Sequence, residues 1–251
     1  MVQAIGLSIL LAADLPKPQS VPQAARQLLV KDGAKQLAAL ANLKAVCRGP
    51  QRHGFRDAHP IEKALKRLSA KADPTQRAKV LAAVMDASSC FSAARFVPLV
   101  AGQLADKDPA VVAYAAETAG AINQPEMLPL LTEALSKRRA SCQKKGLSAA
   151  EVDACVWLAY APGAVLPNVP DTAARQQVLE LVLPFLEAPY AKLREVTVET
   201  AAATKLPAAI EPLEKLIKRE RAKGFGQPNS EGLIGRFEKR LKSLKRLKEK
   251  G

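Results

Sequence analysis

From residue 21 onward the chain places its apolar side chains at the spacing of an α-helix and not at that of a strand. In VPQAARQLLV (21–30) and AKQLAALANLKAVC (34–47) they recur every three to four positions, and Asp32-Gly33 breaks the pattern between the two. The Gly and Pro content of CRGPQRHGFRDAHP (47–60) marks a loop, from which Pro60 opens a helix, IEKALKRLSAKA, with a basic outer face. Asp73-Pro74 then starts TQRAKVLAAVMDA, and the same Asp-Pro start returns at Asp108-Pro109 after FSAARFVPLVAGQLADK. Asp before Pro is an effective helix start, because the carboxylate caps free backbone amides and Pro lacks an amide that would be unsatisfied anyway. The predicted order is therefore helix, short turn, helix, with no stretch that supports a strand.

The clearest of these helical pairs, residues 108–135, has an echo further along. AKLREVTVETAAATKLPAAIEPLEKLI (191–217) aligns with residues 109–135 at a constant offset of 82 residues. Glu117-Thr118 falls on Glu199-Thr200, Pro125 on Pro207, Leu128 on Ile210 and Leu131 on Leu213. Such an offset is too long for one helical pair and suits two pairs of roughly 40 residues each, stacked in an array.

The pattern of a first helix, a Leu-rich turn, Asp-Pro and an Ala-rich second helix resembles that of the HEAT-repeat family. The family's frequent Arg in the second helix is matched by Arg77 and Arg194 but is Val112 in the repeat between, and EAPYAKLR stands where an Asp is common before Arg194. The resemblance covers about residues 60–220 and implies an all-α fold: an α-solenoid of antiparallel helix pairs, about five to six of them, with a C-terminal amphipathic capping helix. It also brings enzymes to be weighed. HEAT-like di-iron hydroxylases carry repeated His-Glu pairs, and no His-Glu dipeptide occurs here. HEAT-like DNA glycosylases set Trp and Tyr around a basic groove with a catalytic Asp, whereas Trp157 and Tyr160 sit in the apolar run VWLAYA and read as core. Phycobilin lyases share such repeats, but nothing in this sequence singles out a chromophore site.

Three segments depart from the regular array. Residues 1–18 contain an apolar run over residues 4–13 that is long enough for a signal-peptide core, with Ala12 and Ala13 before a possible cleavage point, although no Lys or Arg precedes it. A buried N-terminal helix is the alternative, and no other stretch approaches a membrane-spanning length. Within the solenoid, assigned to residues 19–223, residues 137–171 read as an irregular insertion: Ser148 and Glu151 form a capping box for a helix to about Ala161, and a Pro-rich loop follows. Residues 224–251 hold a Gly-rich linker and a basic helix. On that helix Ile234, Phe237, Leu241, Leu244 and Leu247 share one face, while Arg236, Lys239, Arg240, Lys242, Lys245 and Arg246 occupy much of the rest. It reads as a cap that buries its Leu stripe on the last repeat; an anionic membrane surface or a phosphate backbone is the other use of such a helix.

The net charge of +14 changes the picture through its distribution. Both ends are basic and the middle, residues 106–217, is slightly acidic, an asymmetry that can attract nucleic acid, anionic lipid or an acidic protein. Aromatics make up only 4%, which argues against a stacking platform for single-stranded nucleic acid. The four cysteines, Cys47, Cys90, Cys142 and Cys155, include no CxxC pair, so zinc ribbons and thioredoxin-like sites are not supported. Cys142 and Cys155 flank a helix-to-helix turn and Cys47 and Cys90 lie near helix ends in neighbouring units, so two disulfides are expected, which places the protein in the periplasm or outside the cell. Buried free thiols in the cytoplasm are the alternative. Cys47, His53 and His59 fall six residues apart in one loop, but no fourth metal ligand is evident and both histidines read as solvated.

No catalytic residue, cofactor or metal follows from this reading. It describes a non-catalytic scaffold that engages another protein through its helical surface and the 137–171 segment; the alternative is a binder of an anionic polymer or surface through its basic ends. Export would remove nucleic acid from the candidate partners. Intact mass of the native protein checks the compartment: alkylation is expected only after reduction, at all four cysteines, with a mass that begins near Ala13. Alkylation of the unreduced protein, or a mass that includes residues 1–13, counts against export.

Overall fold

The structure, a computed structural model, describes residues 21–29, 35, 38–40, 43, 55–71, 73–88, 91–222 and 230–249. The apolar start at residues 1–18, Cys47, Cys90, His53 and most of the Gly-rich linker lie outside these. Among the described residues every regular element is helical and none is a strand. The chain divides into two compact units, residues 1–99 and 100–251.

In the first unit, α1 (Val21–Leu28) packs on α2 (Phe55–Lys71), α2 on α3 (Pro74–Ser88), and α3 on a 3-10 turn at Ala93–Phe96. Leu28, Ile61, Leu65, Leu81, Val84 and Phe96 are fully buried and form its core. Arg95 Nη1 meets Glu62 Oε2 at 3.1 Å and ties the turn to α2. The Asp-Pro start of α3 forms as predicted, with Asp73 Oδ1 accepting the Gln76 amide at 2.9 Å. The start of α2 does not: the helix begins at Phe55 and carries Pro60 inside it. Only the first turn of a helix has amides without an internal acceptor, so Pro60, the sixth residue, forgoes one bond that flanking residues sustain.

Helix α4 (Val97–Leu104) spans the boundary. The second unit continues with α5 (Pro109–Ile122), α6 (Met127–Cys142), α7 (Ala149–Val165), α8 (Thr172–Val182), α9 (Ala191–Ala203), α10 (Ile210–Ala222) and α11 (Ser230–Lys248). They form two layers of antiparallel helix pairs. In one layer α5 packs on α7, α7 on α9 and α9 on α11; in the other α6 packs on α8, and the 3-10 turn after α8 (Leu183–Glu187) packs on α10. The caps explain the boundaries. Asp108 Oδ1 accepts from the amides of Ala110 (2.8 Å) and Val111 (3.4 Å), and Asp171 Oδ1 from that of Ala173 (2.9 Å). The capping box at α7 is complete, and its hydrogen bonds from the Ser148 hydroxyl and amide hold the Glu151 carboxyl below its ordinary value. Helix α5 ends on Asn123 in the left-handed conformation (φ 51°), and Lys205 (φ 59°) repeats that conformation at the 82-residue offset of the sequence echo.

Helix α7 is held closely on both sides. A Cβ at Gly120 of α5 would stand 3.4 Å from the Cα of Ala161. A Cβ at Gly163 would stand 2.9 Å from Thr200 Oγ1 and 3.0 Å from its Cα, so α7 and α9 approach to a distance that only glycine permits. Pro162 withholds the amide that would serve the preceding turn, and close by the Thr200 hydroxyl donates to the Ala159 carbonyl (2.7 Å) and, at 3.4 Å, to that of Tyr160. At the helix ends Arg175 acts as a clamp: its guanidinium donates to the carbonyls of Leu166 and Val169 at 2.8 Å and to those of Ala203 and Thr204 at 3.3 Å. One side chain thereby satisfies carbonyls left over at the C-termini of α7 and α9, with a charge of the sign the helix dipole favours there.

This placement corrects the expectation for residues 137–171. They do not project as an irregular insertion; α7 is the layer member between α5 and α9, begins about 40 residues after α5 as a repeat would, and runs through Pro162 to Val165. A 3-10 turn at Leu166–Asn168 follows, so the Pro-rich stretch contributes helix and turn instead of a long loop. Contrary to the expectation that no stretch after residue 18 approaches a membrane-spanning length, Ala149–Asn168 is long and apolar enough to cross a membrane by length and composition alone. Its apolar residues Ala154, Leu158, Ala159, Ala161 and Val165 are spent on packing within the array.

Gly163→Ala is expected to lower stability by about 1–2 kcal/mol despite the better helix propensity of Ala, because the added methyl meets the backbone of α9. Gly235→Ala in α11, where a Cβ meets nothing within 4 Å, is expected to raise it by up to about 1 kcal/mol. Urea unfolding of the two variants checks the opposite signs.

Candidate functional site

The structure separates the residues singled out in the sequence. Cys142, at the end of α6, and Cys155, inside α7, stand at disulfide distance, 2.01 Å between their Sγ atoms, and tie the second turn of α7 to its predecessor. Cys47 and Cys90 lie outside the described residues. His59 is exposed and belongs to α2 instead of a loop. Among the described residues no group of three or more His, Cys, Asp or Glu side chains is placed to hold a metal ion.

The six cations of the C-terminal helix do not form one free patch. Helix α11 lies on α9 and α10 through Ile234, Phe237 and Leu244, all buried, and its cations reach across to the acidic residues of those helices. Arg236 pairs with Glu195 (2.9 Å), Arg240 with Glu199 (2.7 Å) and Lys245 with Glu214 (2.5 Å), while Glu238 of α11 takes Arg221 of α10. Lys239, Lys242 and Arg246 are exposed and make no ion pair among the described residues. Half of the candidate contacts for an anionic partner are thus engaged within the chain.

A different site emerges on the outer face of the α5-α7-α9-α11 layer, where two clefts lie side by side. The first, about 260 Å³, runs between α5 and α7; alanines 110, 113 and 150 line it together with Tyr114, Glu117, Asp153 and Trp157. The second, about 280 Å³, runs from the end of α7 across α9 to α11, with Tyr160, Glu199, Thr200, Lys205, Arg240 and Leu247 in its walls. Trp157 and Tyr160, in edge-to-face contact with ring centroids 5.7 Å apart, form the ridge between them. Both aromatics therefore line a surface, not the core expected from VWLAYA: Tyr160 is 39% exposed and Trp157 half-buried. Four large apolar or aromatic side chains are well exposed among the described residues, and three of them, Tyr114, Tyr160 and Leu247, border these two clefts. The signal available in the sequence was spacing: Asp153, Trp157 and Tyr160 fall at i, i+4 and i+7, one helical face that mixes aromatics with a carboxylate.

The carboxylates of the first cleft differ from those of the second. Glu199, in the second, is paired with Arg240 of α11, whereas neither Glu117 nor Asp153 has an ion-pair partner among the described residues. Glu117 is half-buried, and burial pushes its carboxyl above the ordinary value. A carboxyl raised in the folded state costs stability once the pH exceeds that raised value and costs none below its unfolded value. Glu117→Gln is therefore expected to stabilise the protein at neutral pH, with the gain vanishing as pH falls through the carboxylate range. Urea midpoints over a pH series check this; a pH-independent difference, or destabilisation at neutral pH, goes against it.

Comparison with known proteins reaches the fold. A scan against protein-family models finds no match, and a search of curated proteins finds none. Among solved structures, the chain is similar to an engineered protein whose crystal structure comes from the Northeast Structural Genomics Consortium, with 15% identity and a TM-score of 0.61 over 92% of this chain and 97% of that one. Human deoxyhypusine hydroxylase in complex with glycerol is also matched, at 12% identity and a TM-score of 0.35 over 89% of this chain and 96% of that one. The first likeness agrees with an all-helical array of paired helices and, at that identity, speaks for the fold alone.

Proposed function

We propose that this protein is a non-catalytic scaffold of HEAT-like repeats that engages another protein through the outer face of the α5-α7-α9-α11 layer. The observation that carries the reading is the clustering of exposed aromatic and apolar side chains. Tyr114, Tyr160 and Leu247, with Trp157 between the two tyrosines, border two adjoining clefts instead of being scattered. Single exposed apolar residues need no explanation, whereas a contiguous aromatic patch rimmed by charge is characteristic of interaction surfaces. Tyr and Trp suit this role because they offer large contact area at little entropic cost.

An oxidising compartment, the periplasm or the cell exterior, fits the Cys142–Cys155 pair. At the C-terminal end, the reading as a binder of anionic polymer or membrane is left with Lys239, Lys242 and Arg246, since Arg236, Arg240 and Lys245 are committed to α9 and α10.

A photo-crosslinking residue placed at Tyr114 or Tyr160 is expected to trap one defined protein in the native compartment. The same residue at Gln177, exposed on α8 in the opposite layer, is expected to trap none. No adduct at either tyrosine position, or equal adducts at all three, would sink the proposal.

A further inference from the structure

We infer that the α5-α7 cleft is an arginine-binding site, taking a guanidinium from a basic segment of the partner protein. This rests on the docking face proposed above and names the chemistry it recognises. The chain contains its own template. By the 82-residue repeat, Glu117 of α5 and Glu199 of α9 are the same position, and each faces the next helix of the layer. At Glu199 that next helix, α11, supplies Arg240, whose Nη2 lies 2.7 Å from Glu199 Oε2 in a cleft also walled by Tyr160. At Glu117 the next helix, α7, supplies Asp153 and Trp157, so the equivalent cleft holds two carboxylates and two aromatic rings and no cation.

Two carboxylates beside Tyr114 and Trp157 complement a planar cation on both counts. A guanidinium stacks on the aromatic face and offers paired N–H donors to a carboxylate; an ammonium can do the first but lacks the forked geometry for the second. The small side chains of Ala110, Ala113 and Ala150 keep the cleft open between the charges. An anionic ligand is excluded there by repulsion from Glu117 and Asp153. Burial pushes the Glu117 carboxyl above its ordinary value, and a guanidinium held beside it would lower it again.

Trp157 is the only tryptophan in the chain and lines the cleft, so intrinsic fluorescence of the full-length protein reports on it directly. Titration with tetra-arginine amide is expected to give a saturable change, tetra-lysine amide a weaker one, and tetra-glutamate none. Glu117→Gln and Asp153→Asn, which keep Trp157 and the shape of the cleft, are each expected to weaken tetra-arginine binding roughly fivefold or more, the scale of a partly exposed cation contact. Glu180→Gln, exposed on α8 in the other layer, is expected to leave it unchanged. Lack of saturation, or equal affinity in the wild type and both cleft variants, overturns the inference. So does concentration-dependent self-association of the chain that is lost in Asp153→Asn, because the occupant would then be a second copy. Should the peptide fail while crosslinks at Tyr114 and Tyr160 persist, arginine recognition falls and the docking face stands. If the peptide binds and the crosslinks fail, the cation site stands and the docking face falls.

Discussion

The close approach of α7 to its two neighbours is the constraint on which the second unit depends. Gly120 lets α5 come within contact of Ala161, and Gly163 lets α9 come within contact at Thr200. With backbones this near, little room is left for large side chains between the helices, which is why alanines 154, 159 and 161 and Pro162 are buried along α7. The large residues of α7 are accordingly sorted by direction. Leu158 and Val165 are buried, as is Leu166 of the turn that follows, while Trp157 and Tyr160 are left on the outer face. Thr200 and Arg175 then fix the position of α7 by hydrogen bonds to its carbonyls, so the ridge between the two clefts is set by backbone contacts and not by side-chain packing alone. A surface built this way is rigid where it carries its aromatics, which reduces the ordering cost of anything that docks there.

Charge follows the same logic. The acidic character of residues 171–217 and the basic character of residues 218–251 are complementary inside the molecule: α11 is laid on α9 and α10 with Arg236, Arg240 and Lys245 opposite Glu195, Glu199 and Glu214. These pairs are partly exposed and add little each; the cap is held mainly by burial of Ile234, Phe237 and Leu244. Nor do the pairs to α9 set register by themselves: Arg236–Glu195 and Arg240–Glu199 share a spacing of four residues, so a turn of slippage along α11 would still leave an arginine opposite a glutamate, and register rests on the buried apolar side chains. A net charge of +14 is thus a poor measure of what the protein offers to a partner, because part of it is answered within the chain.

The fold was legible in the sequence to the extent that it rests on local rules. Asp73-Pro74, Asp108-Pro109 and the Ser148-Glu151 box start helices wherever they occur, and the offset from Glu117-Thr118 to Glu199-Thr200 returns in the backbone as the left-handed pair Asn123 and Lys205. Legibility stopped where a residue's role depended on a neighbour distant in the chain. Residues 137–171 look irregular because Gly163 and Pro162 weaken a helix in isolation, yet those residues are what tertiary contact with α9 requires. Trp157 and Tyr160 read as core because the helix around them is apolar. Which face of that helix is covered is decided by α5 and α9, and no local pattern contains them. The cations of α11 were visible as a face, but their acidic partners on α9 and α10 were not.

Packing alone accounts for most of the layer and fails at one position. The repeat sets a glutamate at the same place on α5 and α9, and next to α9 the chain completes it with Arg240. Next to α5 the corresponding helix brings a second acid, Asp153, and leaves Glu117 half-buried at a cost in stability. A glutamine in its place would fill the same space without that cost, and a basic residue in place of Asp153 would copy the pairing found two repeats along. The chain does neither, and it keeps Tyr114 and Trp157 beside the two acids. Residues held against the demands of folding are the ones to explain by what they contact outside the fold. Here their chemistry, two carboxylates and two aromatic rings around one cleft, suits a cation.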